Sequence, residues 1–300
     1  GSQGELVGVL LMRKYHELRG NDKDVILIPD AAHGTNPASV AMAGYKVVEV
    51  KSNSKGLVDL EDFESKIDDR VAGFMLTNPN TLGLFEENIC KISELIHGVD
   101  GIMYMDGANM NALLGITRPA DLGFDITHLN LHKTFSTPHG GGGPGSGPIG
   151  VTDKLAAYLP RPRVELKNDK YHLEYGYEHS IGRVHGFYGN FGILLRAWTY
   201  IRMLGPDGLR NISEIAISNA NYMMHKLKDV FELAYDRTCM HEFVLSAQTQ
   251  KEKGTNALHI AKRLLDFGFH SPTMYFPLIV KEALMIEPTE SENKETMDRF

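Results

Sequence analysis

Residues 101–133 read GIMYMDGANMNALLGITRPADLGFDITHLNLHK and contain two short apolar runs, each of which leads into a charged residue. The first run, residues 101–105, is followed by Asp106, and the second, residues 126–131, leads into Lys133. Short apolar runs favour buried strands, and the sequence between them is long enough for a crossover connection. The stretch therefore predicts two parallel strands that deliver a carboxylate and an amine to the same edge of a sheet.

The same alternation of strands and helices extends towards the amino terminus. Asp59 is expected to cap one of the helices, because its side chain can accept hydrogen bonds from the first turn. Predicted strands are residues 25–29, 45–50 and 71–77, and predicted helices are residues 5–19, 37–44, 59–66 and 86–97. Strands and helices that alternate at this spacing predict an α/β fold with a mostly parallel sheet covered on both faces.

The second half of the chain changes character. Residues 140–150 are dense in glycine and are expected to form a loop, and residues 158–177 an irregular or hairpin excursion. Helices are predicted at residues 189–204, 206–228 and 256–267, and strands at 231–235, 243–247 and 284–287. We therefore expect a large α/β domain over residues 1–205 and a smaller α+β domain over residues 206–300. Helical patterns at both chain ends suggest a portion of a longer polypeptide.

Composition excludes some classes of function. The formal net charge is -7 and the sequence pI about 6.0, so no excess of Lys and Arg is available to neutralise nucleic-acid phosphates. The apolar runs are too short to cross a membrane. The two cysteines, Cys90 and Cys239, cannot form a disulfide framework, which favours a reducing compartment such as the bacterial cytoplasm.

Several reactive side chains follow the predicted strands. His33 comes after the first strand, Asn80 after the third, and Asp106 and Lys133 after the next two. An amine at the mouth of a parallel sheet can attack a carbonyl group, and a carboxylate beside it could keep a pyridine nitrogen protonated. An Asn in the turn at residues 77–83 could donate to a phenolic oxygen, and His33, flanked by small residues, could approach a flat ligand.

Other motifs give weaker signals. The glycine-rich run at residues 139–147 lacks the Gly-Lys-Ser/Thr ending of a nucleotide-binding loop. His128 and His132 share a predicted strand face but have no evident carboxylate partner, so no metal site is expected. Arg183 could bind a substrate carboxylate or could equally form an ion pair.

Longer stretches resemble one known family, the glycine cleavage P-protein. The residues that carry this resemblance are 132–145, where His-Lys-Thr-Phe runs into the glycine loop, together with 32–39, 106–112 and 287–292. They follow the family's order, and the similarity covers essentially the whole chain. It is to the carboxyl-terminal half of the P-protein, and residues 77–83 are similar to the bacterial form in which that half is a separate subunit.

The resemblance implies a fold-type I enzyme, like aspartate aminotransferase, that uses pyridoxal 5′-phosphate. Lys133 would form the Schiff base, Asp106 would hold the pyridinium nitrogen, and His33 would stack on the cofactor. The other cofactor-binding residues implied by the resemblance are Ala108 on the opposite ring face, Asn80 or Thr81 near the phenolic oxygen, His132 beside the lysine, and Gln3 and Gly4 in the phosphate-binding turn.

The implied reaction is decarboxylation of glycine with transfer of the aminomethyl group to the lipoyl arm of the H protein. Implied partners are that protein, the other P-protein half and a second copy of the chain. Two alternatives stay open. The chain could be another fold-type I enzyme, such as a group II decarboxylase or a cysteine desulfurase, or it could be a non-catalytic scaffold.

Overall fold

The computed structural model describes residues 1–186 and 188–300, and its larger part is built around a six-stranded sheet. The strands are β1 (Val25–Pro29), β2 (Lys46–Val50), β3 (Val71–Thr77), β4 (Ile102–Gly107), β5 (Ile126–Leu129) and β6 (Ile149–Val151). They lie in the order β2-β1-β3-β4-β5-β6. The first five are parallel, and β6 runs antiparallel to β5 at one edge. The predicted mostly parallel sheet is confirmed.

Helices cover both faces of this sheet. They are α1 (Ser2–Arg19), α2 (Thr35–Met42), α3 (Leu60–Ser65), α4 (Ile89–Gly98) and α5 (Asp153–Ala156), with a 3-10 helix over Pro119–Leu122. Side chains alternate between the faces along each strand. Ile26 packs in the same cluster as Leu11 of α1, whereas its neighbour Leu27 packs with Phe63 of α3. Asp59 caps α3 as predicted, accepting hydrogen bonds from two backbone N–H groups at 3.0 and 3.1 Å.

A hairpin and a second sheet complete the fold. The hairpin pairs β7 (Arg163–Lys167) with β8 (Lys170–Glu174) inside the segment predicted to be irregular or a hairpin. The remaining elements are α6 (Phe191–Leu227), β9 (Glu232–Leu233), β10 (Phe243–Ser246), α7 (Gln248–Glu252), α8 (Ala257–Asp266), β11 (Thr273–Met274), β12 (Ala283–Ile286) and α9 (Lys294–Arg299). The four strands form an antiparallel sheet in the order β11-β12-β10-β9.

The two sheets are connected through α6 and through side-chain packing. Gly205 interrupts α6 with φ 62° and ψ -175°, immediately before Pro206. This break coincides with the predicted division into residues 1–205 and 206–300, which stays a prediction. Leu82 and Leu84, from the turn after β3, pack in one cluster with Val244 of β10. The turn after β3 therefore buries apolar surface against the small sheet.

Four details of the sequence-based prediction are wrong. β5 ends at Leu129, so Lys133 lies in a turn and not at the end of a strand. β6 begins at Ile149, inside the segment predicted to be a loop. β9 is limited to two residues, and β11 has no counterpart among the predicted strands. None of the helices in the described part of the chain is long and apolar enough to cross a membrane.

Candidate active site

A cleft of about 950 Å³ lies at the carboxyl ends of the parallel strands. The large sheet supplies Thr77 at the end of β3 and Asp106 near the end of β4, and the turn after β5 supplies Lys133. The opposite wall belongs to the small sheet and includes Glu242, directly before β10, and Glu287, directly after β12. Its volume suits a small-molecule ligand, and its position is the one in which open α/β sheets bind ligands.

Asp106 is a buried carboxylate with two hydrogen-bond donors and an imidazole nitrogen around it. Asn36 Nδ2 donates to Oδ2 at 2.9 Å, the backbone N–H of Ala108 donates to Oδ1 at 3.0 Å, and His128 Nε2 lies 3.3 Å from Oδ1. Burial favours the neutral acid, but His128, Asn36 and Ala108 outweigh it and lower the pKa of Asp106 below its usual value. The side chain is therefore an ionised acceptor at the floor of the cleft.

The sequence-based prediction assigned His128 wrongly. It was expected to have no carboxylate partner, yet β4 and β5 pair with Asp106 opposite His128. Burial lowers the pKa of the His128 imidazole, and the neighbouring carboxylate of Asp106 opposes this shift. The Tyr104 hydroxyl donates to Glu5 O at 3.0 Å and also lies 2.9 Å from Nδ1 of His128, so the imidazole lies between Tyr104 and Asp106. The register of two neighbouring strands is the signal that would have identified this contact.

Lys133 projects into the cleft from a turn. Its backbone N–H donates to Asn130 O at 3.1 Å, and the side chain is exposed. Within residues 1–186 and 188–300 its ammonium group forms no hydrogen bond or ion pair. Two neighbouring buried atoms in the cleft wall, Asn130 Oδ1 and His132 Nδ1, also have no hydrogen-bond partner. Burial and nearby positive charges lower the pKa of His132 to about 4, so that ring is neutral.

His33 and Ala108 both line the cleft, as expected. The Nδ1 atom of His33 lies 2.9 Å from the Thr35 hydroxyl, and Thr35 in turn donates to the buried carboxylate of Glu5 at 2.9 Å. The ring of His33 meets that of Phe276 edge to face at 5.6 Å. These contacts fix the His33 ring above the floor on which Asp106 lies.

The first turn of α1 reaches the cleft. Gln3 lines it, together with Gly1 and Ser2, and no side chain caps the helix. Uncapped backbone N–H groups at a helix start bind anions such as phosphate. Gly4 lies behind this surface, where the carbonyl oxygen of Gly147 occupies the space of a Cβ, 2.3 Å from its ideal position. Gly4 therefore lets the helix start approach the glycine-rich loop closely.

Asn80 is not where the prediction placed it. Its Oδ1 accepts from the backbone of Leu82 and Leu84 at 3.0 and 3.1 Å, and its Nδ2 donates to Gly56 O at 2.7 Å. The amide is used within the turn and does not line the cleft. Thr81 does line the cleft, but its hydroxyl donates to Ala31 O at 2.5 Å. That proton is therefore not available to a phenolic oxygen.

Arg183 and the two cysteines lie outside the cleft. Arg183 is not among the residues that line it; its guanidinium lies 5.6 Å from the ring of Tyr188. Cys90 is exposed on α4, and Cys239 is buried, where burial raises the pKa of its thiol to about 12. Neither cysteine lines the cleft, so the arrangement does not suit a cysteine desulfurase, whose thiol must reach the substrate.

The wall from the small sheet was missed by the sequence-based prediction. It carries His241, Glu242 and Glu287, whose side-chain ligand atoms lie within 4.8 Å of one another. Glu287 accepts hydrogen bonds at one oxygen from Asn109 at 2.7 Å and Asn111 at 2.6 Å. A second cluster of the same kind joins Glu5, Asp106 and His128 under the floor. There, donors from Thr35, Ser39 and Asn36 already engage both carboxylates.

The groups in the cleft fit a phosphorylated pyridine aldehyde. The amine of Lys133 suits the aldehyde, the ionised Asp106 suits a protonated ring nitrogen, and the open start of α1 suits the phosphate. The unpartnered polar atoms of Asn130 and His132 lie where polar ligand groups would satisfy them.

Comparison with known proteins agrees with this fold and adds similarity to one family of proteins within it. Residues 9–142 match the family described as aminotransferase class-V, and residues 212–300 match glycine dehydrogenase, C-terminal domain. The chain is 62% identical over 301 residues to the probable glycine dehydrogenase (decarboxylating) subunit 2 of Chlorobium chlorochromatii (strain CaD3), covering all of this chain and 63% of that protein. A protein of the same name from Chloroherpeton thalassium (strain ATCC 35110 / GB-78) is 60% identical and is covered to 62%. The chain thus spans less than two thirds of the length of these relatives.

A solved structure agrees with the fold. The crystal structure of a glycine decarboxylase (P-protein) of the glycine cleavage system, in inhibitor-bound form, superposes with a TM-score of 0.79. The superposition covers 99% of this chain and 67% of that one at 20% sequence identity. Together with the aminotransferase class-V match, it confirms the fold-type I architecture.

Proposed function

We infer from these similarities that the chain belongs to the glycine dehydrogenase (decarboxylating) subunit 2 family, and from that premise we propose that it forms the pyridoxal-phosphate centre of a glycine-decarboxylating enzyme. The observation that carries the proposal is that Lys133 and Asp106 line one cleft. The amine follows β5, and the carboxylate lies on the neighbouring strand β4, where two hydrogen-bond donors and the His128 ring favour its ionised form.

Each cleft residue has a distinct task in this proposal. Lys133 supplies the amine that attaches the cofactor, and Asp106 keeps a proton on the pyridine nitrogen. When bound, pyridoxal phosphate supplies an electron sink for the pair left behind as CO2 departs. His33 stacks on one face of the ring and Ala108 packs on the other. The start of α1, with Gln3, binds the phosphate through backbone N–H groups.

We further propose that glycine is the substrate and that a lipoyl arm of the H protein accepts the aminomethyl group. Lys133 and His33 are exposed within the cleft, so a tethered arm can reach them. The other P-protein subunit and a second copy of the chain are the proposed permanent partners, and the description of the relative in Chlorobium as a subunit 2 supports the first of them. Its two free thiols suit the bacterial cytoplasm.

The test is covalent trapping of the cofactor in one sample and turnover of labelled glycine in a second, unreduced sample. For trapping, the full-length subunit, assembled with its partner, is incubated with pyridoxal phosphate, reduced with borohydride and digested. We expect the reduced cofactor on the peptide that contains Lys133. In the unreduced sample, carboxyl-labelled glycine should release labelled CO2 in the presence of lipoylated H protein, and serine should release much less.

Lys133→Ala should abolish both the trapped adduct and CO2 release, because Lys133 is the one lysine of the described residues that lines the cleft. Lys262→Ala, which removes an exposed lysine from α8, is the matched control and should change neither. Trapping at a different lysine would overturn the assignment of Lys133. Trapping at Lys133 without release of CO2 from glycine would leave the cofactor assignment intact and remove the proposed substrate.

A further inference from the structure

Two acidic side chains face each other where the small sheet borders the cleft. The antiparallel pair of β10 and β12 ends with Phe243 opposite Ile286. One step further along this register, Glu242 lies opposite Glu287, and both line the cleft. Like charges directly opposite on an antiparallel pair destabilise it. The geometry alone therefore favours a proton on one of the two.

The environments of the two carboxyls show which one holds the proton. Glu287 accepts two hydrogen bonds at one oxygen, from Asn109 and Asn111. The carboxyl of Glu242 accepts no hydrogen bond within the described part of the chain, and its side chain is buried. Burial raises the pKa of Glu242 well above its ordinary value, Glu287 raises it further, and Lys133 opposes them only in part. Glu242 is thus the neutral acid of the pair.

His241 adds a second unsatisfied group at the same place. The ring is buried, both of its nitrogens lack a hydrogen-bond partner within residues 1–186 and 188–300, and it lines the cleft. Its Nε2 lies 3.8 Å from Glu242 Oε2. Burial lowers the pKa of His241, so the ring is neutral and carries one donor and one acceptor. Such a ring can pass a proton between its neighbours.

We propose that Glu242 is the acid of this cleft and donates a proton to the sulfur that leaves when a substrate disulfide is opened. The inference rests on the proposed function, in which a lipoyl arm is the acceptor, and it adds a residue and a role to it. Glu242 is on the wall opposite Asp106, so an acceptor that enters the cleft passes between them.

The step balances without a further reagent. The electron pair released as CO2 leaves glycine forms a carbon–sulfur bond, and the sulfur–sulfur bond of the cyclic disulfide breaks. The departing sulfur takes the electron pair of that bond together with the proton of Glu242. Glu242 regains a proton through His241, which lies next to the partly exposed carboxylate of Glu287. Protonation of a leaving group by a positioned acid typically accelerates a step by about 10²–10⁴-fold.

The turn after β3 fixes the position of Glu242. Met240 N–H donates to Gly83 O at 2.7 Å, and Gly83 has φ 76°. A Cβ built on Gly83 would lie 1.7 Å from the carbonyl oxygen of Glu242, so the two backbones touch at a point where only glycine fits. The segment that carries His241 and Glu242 is therefore held by the same turn that contains Thr81.

The first part of the test locates the proton. Infrared spectra of the assembled, cofactor-loaded enzyme at neutral pH should contain the carbonyl stretch of a protonated carboxyl group, shifted in deuterium oxide. Glu242→Gln should remove this band. Glu94→Gln, at an exposed position of α4, should leave it unchanged. A band that survives in Glu242→Gln and disappears in Glu287→Gln would overturn the proposal.

The second part uses the leaving group. Transfer is measured with lipoylated H protein and, separately, with an aromatic disulfide whose acidic thiol needs no proton to depart. Both measurements are made with Cys90 replaced by Ser, since that exposed thiol reacts with aromatic disulfides. Glu242→Gln should slow transfer to the lipoyl arm by about 100-fold and transfer to the aromatic disulfide by less than about 3-fold.

The outcomes separate the possible failures. Equal slowing with both acceptors would mean that Glu242 only supports the structure, and would overturn the proposal. Unchanged transfer to the lipoyl arm would overturn it as well. Trapping of the cofactor at Lys133 serves as the folding control in every variant. If the parent enzyme traps the cofactor but releases no CO2 from glycine, the proposed function is wrong. If the parent enzyme releases CO2 normally and Glu242→Gln leaves transfer unchanged, only the role of Glu242 is wrong.

Discussion

Asp106 and Glu242 face the same cleft from opposite walls, and they differ in the number of donors that surround them. Asp106 accepts hydrogen bonds from Asn36 and from the Ala108 backbone, and the His128 ring lies beside it. Glu242 receives no donor within the described residues and has a second carboxyl opposite it. Both side chains are buried, so burial does not distinguish them.

The difference shows what sets the charge of a buried carboxyl. Donors lower the pKa of Asp106 despite burial, whereas burial and Glu287 together raise the pKa of Glu242. One cleft thus contains an acceptor that stays ionised and an acid that stays protonated. Enzymes often assign acid and base roles to two carboxyl groups whose pKa values are shifted in opposite directions in this way.

The largest effect should come from removing the charge of Asp106. Asp106→Asn keeps the shape of the side chain but leaves a cofactor ring nitrogen without its anionic partner. We expect release of CO2 from glycine to fall on the order of 10³-fold, as when a preorganised electrostatic contact is lost. Cofactor trapping at Lys133 should persist. The exposed Asp22 is the matched control, and Asp22→Asn should behave as the parent enzyme.

If Asp106→Asn kept normal turnover, the ring nitrogen would not depend on this residue, and the contrast between the two walls would lose its functional meaning. Loss of both cofactor trapping and turnover would instead indicate that Asp106 is needed to bind the cofactor and not to keep its ring nitrogen protonated.

Much of the large sheet could be predicted from sequence, since its signals are local. The bounds of β3, Val71–Thr77, are those predicted, because the run is apolar on both faces and ends at a turn. The cap of α3 by Asp59 is equally local. β11 and β9 could not be predicted with the right length, because two-residue strands are defined by their partners and not by a periodic pattern.

Only those residues of the site that follow a strand in the sequence could be predicted. Lys133, Asp106 and His33 all line the cleft, because parallel strands bring their carboxyl ends to one edge. His128 was missed because its contact depends on the register between β4 and β5. Glu242 was missed because the small sheet is brought to the cleft by packing that involves residues distant in sequence. Asn80 was assigned wrongly because its amide closes its own turn.

A smaller effect should follow from disturbing the position of Glu242. Gly83→Ala places a methyl group on the carbonyl of Glu242 and forces a positive φ on alanine. We expect a loss of roughly 2–5 kcal/mol in the free energy of unfolding, from backbone strain and overpacking together. Gly268→Ala isolates the strain, since Gly268 has φ 79° and no atom within 4 Å of a built Cβ. It should lose about 1–2 kcal/mol.

Denaturant unfolding of the assembled enzyme measures both variants. Similar losses in the two would mean that the contact between Gly83 and Glu242 relaxes freely. Gly83→Ala should also weaken the infrared band assigned to Glu242, whereas a stable variant with the band unchanged would show that the turn does not position the acid.

The smallest effect, and the one that compares the two walls most directly, is the pH dependence of stability. Because the pKa of Glu242 is raised in the folded enzyme, the folded protein keeps a proton that the unfolded chain loses once the pH exceeds 4.5, the ordinary pKa of the carboxyl. Stability from this group is therefore complete below 4.5 and is lost as pH rises towards the folded pKa, with a slope of at most about 1.4 kcal/mol per unit. Glu242→Gln should remove that slope.

The contribution of Asp106 to stability has the opposite pH dependence, because its lowered pKa gives stability above pH 3.8 that is lost as pH falls. The unfolding free energies of both variants should thus differ least from the parent in acid and diverge from it as pH rises, with Glu242→Gln gaining and Asp106→Asn losing stability relative to the parent. Parallel pH profiles for parent and Glu242→Gln would mean that Glu242 is ionised in the folded enzyme, and the distinction between the two carboxyls would fall.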